Sequence, residues 1–184
     1  MYRGYTMIEL EKLNRNEAVR YLGGAGIRLN YLIDVMMYEF EKAVIEKSSP
    51  KYLYVEKDLP CPQIMGGKDI ESHLNGCEKA IVMCATVGSG VDKLIRISQI
   101  SDMARAVVMD SLASVAVEQV CNAFDKIFAE KYSDYNMTFR FSPGYGDYPI
   151  ELQKIILQIL DAPKKIRLST NDNLFLLNTY DAAD

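Results

Sequence analysis

The sequence predicts an α+β fold: helices packed on a modest, mostly antiparallel twisted sheet, with one long central helix. Three observations carry this. Ala80 to Ala85 is apolar without interruption, only six residues long, and soon followed by Gly88 and Gly90, the pattern of a strand buried on both faces. From Asp102 to about Glu130 apolar residues recur at helical spacing, long enough for a spine. The repeated strand-helix units that build a doubly wound parallel sheet are missing.

Thr6 to Leu13 alternates around Met7, Ile8 and Leu10 and predicts a short strand. Asn14 followed by Glu17 has the form of a capping box, so a helix should start there and stop at Gly23-Gly24, with Gly26 widening the break. A second helix should run from about Ile27 to Lys47. Leu29, Leu32, Ile33, Met36, Met37, Phe40, Val44 and Ile45 keep helical spacing, and Ser48-Ser49-Pro50 ends it. Tyr52 to Glu56 reads as a strand, Pro60 and Pro62 as a loop, and Ile64-Met65 as a short strand before Gly66-Gly67. A short helix spans Asp69 to Leu74, and another Ser89 to Ser98.

Asp102 then caps the long helix. Ala104, Val107, Val108, Leu112, Val115, Val120, Ala123, Phe124 and Ile127 form its apolar stripe, while Asp110, Ser114, Glu118, Cys121 and Asp125 mark another face. Met137 to Ser142 alternates, with Met137, Phe139 and Phe141 on one side and Thr138, Arg140 and Ser142 on the other, and predicts a strand. A helix from Pro149 to Leu160 follows, its core face being Leu152, Ile155, Ile156 and Ile159. Ile166 to Leu168 and Leu174 to Leu177 are the expected closing strands. With no repeat and no low-complexity linker, residues 1–184 are expected to form a single domain.

The chain has 21 Lys+Arg and 25 Asp+Glu, a formal net charge of −4. That balance argues against nucleic acid or an anionic membrane as the main partner, since both need a basic footprint. No uninterrupted apolar run approaches the ~20 residues of a membrane span, and Met1 to Tyr5 has no apolar core of a secretory signal. The expectation is a cytoplasmic protein. Cys61, Cys77, Cys84 and Cys121 include no C-x-x-C pair and are read as reduced thiols, which leaves zinc and redox motifs aside. His73 is the only histidine, so no site can use two.

The most specific local feature is Arg140-Phe141-Ser142-Pro143-Gly144-Tyr145-Gly146-Asp147. A guanidinium before a Pro/Gly turn can grip a carboxylate with two parallel hydrogen bonds while backbone approaches the ligand closely. Tyr145 and Tyr148 offer aromatic faces and hydroxyls beside it. The same spacing also describes a plain strand-to-helix turn with an exposed arginine. Thr86-Val87-Gly88-Ser89-Gly90 sits where backbone amides can bind an anion, or is simply a tight βα turn. It lacks both the third glycine of a dinucleotide fingerprint and a Gly-Lys-Ser/Thr. Glu71-Ser72-His73-Leu74-Asn75-Gly76 differs by one residue from the D-x-H-x-x-G motif of base-off cobalamin proteins, but without a doubly wound sheet around it His73 reads as a polar residue near a helix end.

Arg140 to Asp147, continuing through Tyr148-Pro149-Ile150-Glu151-Leu152-Gln153-Lys154, resembles the AdoMet-binding signature of the activation domain of cobalamin-dependent methionine synthase: an Arg, three residues, then Gly-Tyr. Asn16 to Gly23, Ala85 to Gly88 and Asp110 to Phe124 resemble short stand-alone members of that family, in the same order. The resemblance implies a domain that holds S-adenosylmethionine and presents its methyl group to cobalamin on a partner, with an electron from flavodoxin, so that cob(II)alamin is reductively methylated. It implies that Arg140 recognises the methionine carboxylate, that Ser142, Pro143 and Gly144 line the adenosine side, that Tyr145 packs on the ligand, and that Glu118 faces its cationic part. No residue need act as catalytic acid or base, and no metal is expected.

The family's substrate barrels and cobalamin domain have no counterpart here, so the implied role is reactivation in trans of a separate methionine synthase or related corrinoid protein, in methionine biosynthesis. At most the chain would be the AdoMet-binding component of that methyltransferase system. Leu168 to Asp172 echoes one family block, whereas Asn178 to Asp184 departs from the next. That departure motivates the alternative, a non-catalytic interaction or regulatory protein of the same fold that has lost AdoMet.

Overall fold

The computed structural model describes residues 3–23, 31–168 and 175–182. Expectations resting on Gly24, Gly26, Ile27, Leu29, Ser169 to Asp172 and Leu174 lie outside them. Four strands, β1 (Arg3–Met7), β2 (Lys51–Asp58), β3 (Lys79–Thr86) and β4 (Phe175–Ala182), form one sheet in the order β1-β2-β3-β4, every neighbouring pair antiparallel. Seven helices are described: α1 (Arg15–Tyr21), α2 (Tyr31–Lys47), α3 (Lys68–His73), α4 (Ser89–Ser101), α5 (Met103–Lys131), α6 (Leu152–Leu160) and α7 (Ala162–Lys165).

The sheet's pleat divides its side chains between two cores. Tyr52 pairs with Ala85 and Tyr54 with Met83, and these four join Ile81 in a core with α1, α2, α4 and α5. Leu53 pairs with Cys84 and Val55 with Val82, and these join Ala80 in a core with α3, α6 and α7. Ala80 to Ala85 therefore has no polar alternation because β3 is covered on both faces. The result is a three-layer α+β fold with α5 as its spine.

Asp102 caps α5 by accepting from the Ala104 and Arg105 amides. Leu112, Val115, Val120 and Phe124 of the expected stripe are buried, and Phe124 stacks on Phe128 with centroids 4.1 Å apart. Val107 and Ile127 lie on the uncovered side of the helix, 49% and 42% exposed. At 29 residues α5 has the length and composition to cross a bilayer, yet 61% of its most apolar window is buried inside the fold. It is the core helix.

Several expected elements shift, each for a physical reason. The first strand is Arg3–Met7, not Thr6 to Leu13. Leu10 and Leu13 are buried coil, and the Leu13 amide donates to Glu41 Oε1 at 2.9 Å instead of to a neighbouring strand. Asn14 caps α1 through the Glu17 amide, but the box does not close. Glu17 pairs with Arg20, and the Asn14 amide donates to Gln119 Oε1 of α5. Ile64-Met65 is a turn whose Ile64 amide donates to the Cys61 carbonyl.

Met137 to Ser142 forms no strand. Met137 packs on the helical core, Phe141 on the opposite core and Phe139 is 73% exposed, so the segment passes between layers instead of lying along one. Pro149 to Glu151 forms a turn, and α6 starts at Leu152. This rotates burial onto Ile156, Leu157 and Leu160 and leaves Ile155 exposed. Ile166 to Leu168 is coil, its Ile166 and Leu168 amides both donating to the Ala162 carbonyl. All four cysteines are free thiols.

Candidate functional site

Helical spacing puts Glu118, Asn122 and Asp125 on one face of α5, at i, i+4 and i+7. The coil after α5 brings Arg140 down onto that face. Its Nη2 donates to Glu118 Oε2 at 2.9 Å and to Asn122 Oδ1 at 2.8 Å, and its Nε lies 3.4 Å from Asp125 Oδ2. The buried Nη1 has no hydrogen-bond partner among the described residues. One cation thus faces two carboxylates and an amide, with its side chain only 20% exposed.

This environment tunes its neighbours. Burial pushes the Asp125 carboxyl up, against the opposing pull of Arg140 and with a further push from Glu118. Cys121 lies buried between the two carboxylates, and desolvation pushes its thiol up to about 12 despite the nearby guanidinium. It stays a protonated core residue, not a nucleophile. Tyr21, the last residue of α1, has its hydroxyl pushed up by burial first and then by Glu118, with Glu17 and Tyr145 also contributing.

The Pro/Gly turn after Arg140 is fixed mostly by the protein's own contacts. The Gly144 amide donates to the Tyr148 carbonyl at 2.8 Å, and the Tyr148 amide to the Tyr145 carbonyl. Tyr148 is 1% exposed and its hydroxyl donates to the Ile64 carbonyl at 2.8 Å, so it is a core anchor and not the open aromatic face expected beside Tyr145. Tyr145 is exposed, Pro143 buried and Ser142 half-buried.

Gly146, at φ 54, faces Asp69: a Cβ there would lie 1.9 Å from Asp69 Oδ2. That contact belongs to a reciprocal lock. Asp147 accepts from the Lys68 and Asp69 amides at the start of α3, and its own amide donates to Asp69 Oδ2 at 3.0 Å. Gly146 thus serves packing.

Those two amides, that of Asp69 foremost, hold the Asp147 carboxyl below its usual value of 3.8. A depressed folded-state pKa adds stability that is present at neutral pH and lost as pH falls below about 4. Asp147→Ala should therefore lower Tm at neutral pH, and the gap to the parent should close on acidification. A gap independent of pH in thermal melts would mean that the lock does not act through the ionised carboxylate.

His73 ends α3, stacked on Phe141 at 5.1 Å and packed against Phe139 at 4.7 Å, with Nε2 3.3 Å from Thr138 Oγ1. These contacts hold the Arg140 segment to α3. In the Thr86 to Gly90 turn, the Gly88 amide donates to Thr86 Oγ1, and a Cβ on Gly90 would lie 2.4 Å from the Lys47 carbonyl. Both glycines have packing reasons. Among the described residues no group of three or more His, Cys, Asp or Glu is placed to hold a metal ion.

The structure brings Arg140 and Glu118 together and sets Ser142, Pro143, Gly144 and Tyr145 in the turn that follows. Asn122 and Tyr21 were missed by sequence reasoning, and Asp125 was read only as a polar-face residue. The available signal was the 118, 122, 125 spacing of polar residues along one face of α5.

No protein-family model matches the chain, and no curated protein matches it. Among solved structures it is similar to the MetH reactivation domain, crystallised with AdoHcy bound. The TM-score is 0.71 at 10% sequence identity, over 99% of this chain and 78% of that one. At that identity the likeness is one of fold.

Proposed function

We propose that the chain is an AdoMet-binding reactivation module acting in trans, in the cytoplasm, on a separate cobalamin-carrying methionine synthase or related corrinoid protein. The observation that carries this reading is the Arg140 cluster: a guanidinium set on two carboxylates just before the Pro143-Gly144-Tyr145 turn, on a fold shared with a domain solved with AdoHcy. The residues fit the ligand's chemistry. The Arg140 guanidinium, its side chain 20% exposed, suits the methionine carboxylate. Glu118 and Asp125 suit the α-ammonium and sulfonium, and Tyr145 offers an exposed ring for the adenosyl part.

AdoMet carries an already activated methyl group, so what these residues contribute is binding and orientation, without an acid or base. The methyl group would pass to cobalamin held by the partner, starting from cob(II)alamin plus one electron from a flavodoxin-like donor and leaving AdoHcy behind.

Calorimetric titration with AdoMet and AdoHcy tests this. Arg140, Glu118 and Asp125 together carry one negative charge, so AdoMet, with its extra sulfonium charge, should bind more tightly than AdoHcy. The preference should shrink as salt is added. Equal affinities would remove the proposed role of the two carboxylates. Absence of saturable binding by either would favour a second reading, which rests on the same geometry. Arg140, already held by Glu118, Asn122 and Asp125, would then be a structural pin, and the domain would act by docking alone.

A further inference from the structure

A polar cleft of about 460 Å³ lies among elements that take no part in the Arg140 cluster: the start of β2, the end of β3, the first turn of α4, and the end of α7 with the segment after it. Among the described residues four cations line it, Lys51, Lys164, Lys165 and Arg167, against a single carboxylate, Asp92. That is a marked local excess in a chain whose acidic residues outnumber its basic ones. Asp92 is 8% exposed and has interactions of its own. Among the described residues no ion pair engages Lys164, Lys165 or Arg167.

The three cations sit within four consecutive residues on a pinned backbone. Ile166 and Leu168 are 5% and 1% exposed in the core beside α6. Their amides both donate to the Ala162 carbonyl. Lys165 and Arg167 are therefore held at the cleft while their neighbours are plugged into the core. Lys164, Lys165 and Arg167 lie close together and repel one another, and an anion seated among them offsets that repulsion. Ser89 adds a hydroxyl at the start of α4, where the first amides have no intrahelical acceptor.

Several donors and a cation excess around a concave space suit a tetrahedral dianion better than a single carboxylate. The volume also exceeds what one phosphate fills. We propose that this cleft binds the phosphoryl group of a small phosphorylated molecule, a site distinct from the Arg140 cluster and independent of any AdoMet binding.

The test is calorimetric titration of the full chain with inorganic phosphate at constant ionic strength set by sodium chloride. Glycerol phosphate and adenosine monophosphate serve as parallel arms. At least one of the three should bind saturably, with a Kd at or below about 1 mM, and should raise Tm with concentration. Affinity for the esters above that for phosphate identifies a phosphate ester as the ligand. Affinity greatest for phosphate itself identifies the free anion.

The variant is Lys165→Gln combined with Arg167→Asn. Arg167 sits at φ 57, a left-handed conformation that asparagine tolerates. Both positions are exposed, so Tm without ligand should be unchanged, while affinity should fall by at least about tenfold. Absence of saturable binding in all three arms overturns the proposal, as does binding that the double variant retains. AdoMet appears in none of these titrations, so failure here leaves the Arg140 reading intact and failure there leaves this one.

Discussion

Replacing Arg140 with alanine is expected to weaken AdoMet binding by at least tenfold, about 1.4 kcal/mol. Two losses combine. The donor proposed for the ligand carboxylate disappears, and Glu118 and Asp125 are left facing each other with no cation between them. The second loss also costs stability. Breaking a fully buried ion pair costs roughly 3–5 kcal/mol. The three side chains here are 20%, 32% and 35% exposed, so solvent screening reduces the expected cost to about 1–2 kcal/mol.

That cost should depend on pH with a definite sign. Asp125 is already pushed up by burial, and Arg140 is what pulls it back. Without the guanidinium its folded-state pKa rises further above the unfolded value. A carboxylate with a raised folded pKa favours the folded state below the unfolded pKa and loses that contribution as pH rises through the folded one. The variant should therefore be least stable, relative to parent, at neutral pH and recover towards about pH 4.

Arg140→Lys separates the two losses. It keeps one positive charge near the carboxylates but not the planar fork, so it should restore most of the stability and little of the AdoMet affinity. Full rescue of binding by lysine would reduce Arg140 to a point charge and remove the proposed carboxylate grip.

The elements that could be read from the sequence are those whose local signals need no tertiary context. Ala80 to Ala85 shows its double burial directly, because a strand covered on both faces has no polar alternation. Asn14 and Asp102 announce helix starts because a side-chain acceptor is chemically required there. What could not be read depends on where backbone groups find partners across the fold. Leu10 to Leu13 reads as strand, yet the Leu13 amide is satisfied by Glu41, 28 residues away. Met137 to Ser142 alternates as a strand would, but Met137 and Phe141 enter different cores.

Around the Arg140 cluster the same limit applies. Polar residues at 118, 122 and 125 are visible as a helix face, but nothing local says that a residue beyond the end of α5 returns to cover it. Gly146 is visible as conformational freedom, and only the Asp69 and Asp147 lock shows what that freedom serves. Tyr148 beside Tyr145 gives no local sign that one ring is buried and the other exposed.

Tyr148 carries the largest expected effect on stability. Tyr148→Ala should cost about 4–5 kcal/mol in chemical denaturation. Truncating a fully buried aromatic costs roughly 3–5 kcal/mol through lost transfer energy and the cavity left behind. The change also orphans the Ile64 carbonyl that the hydroxyl now satisfies. For a domain held by ~5–15 kcal/mol that is a large share of the total. Tyr148→Phe keeps the ring and loses only the hydrogen bond, so it should cost about 1–2 kcal/mol. Burial pushes the hydroxyl up to about 12 from 10.0, so the donor is present throughout the neutral range. A raised folded pKa means that this contribution is full below 10 and fades as pH rises towards 12. The gap between Tyr148→Phe and parent should narrow there, and a constant gap would mean that burial does not raise the hydroxyl's pKa. The turn that follows Arg140 hangs on this residue, since the Gly144 amide donates to its carbonyl and its own amide donates to Tyr145. Tyr148→Phe should therefore leave AdoMet affinity unchanged, whereas the folded fraction of Tyr148→Ala should bind AdoMet more weakly. Equal affinities in all three proteins would show that the turn's shape is set elsewhere.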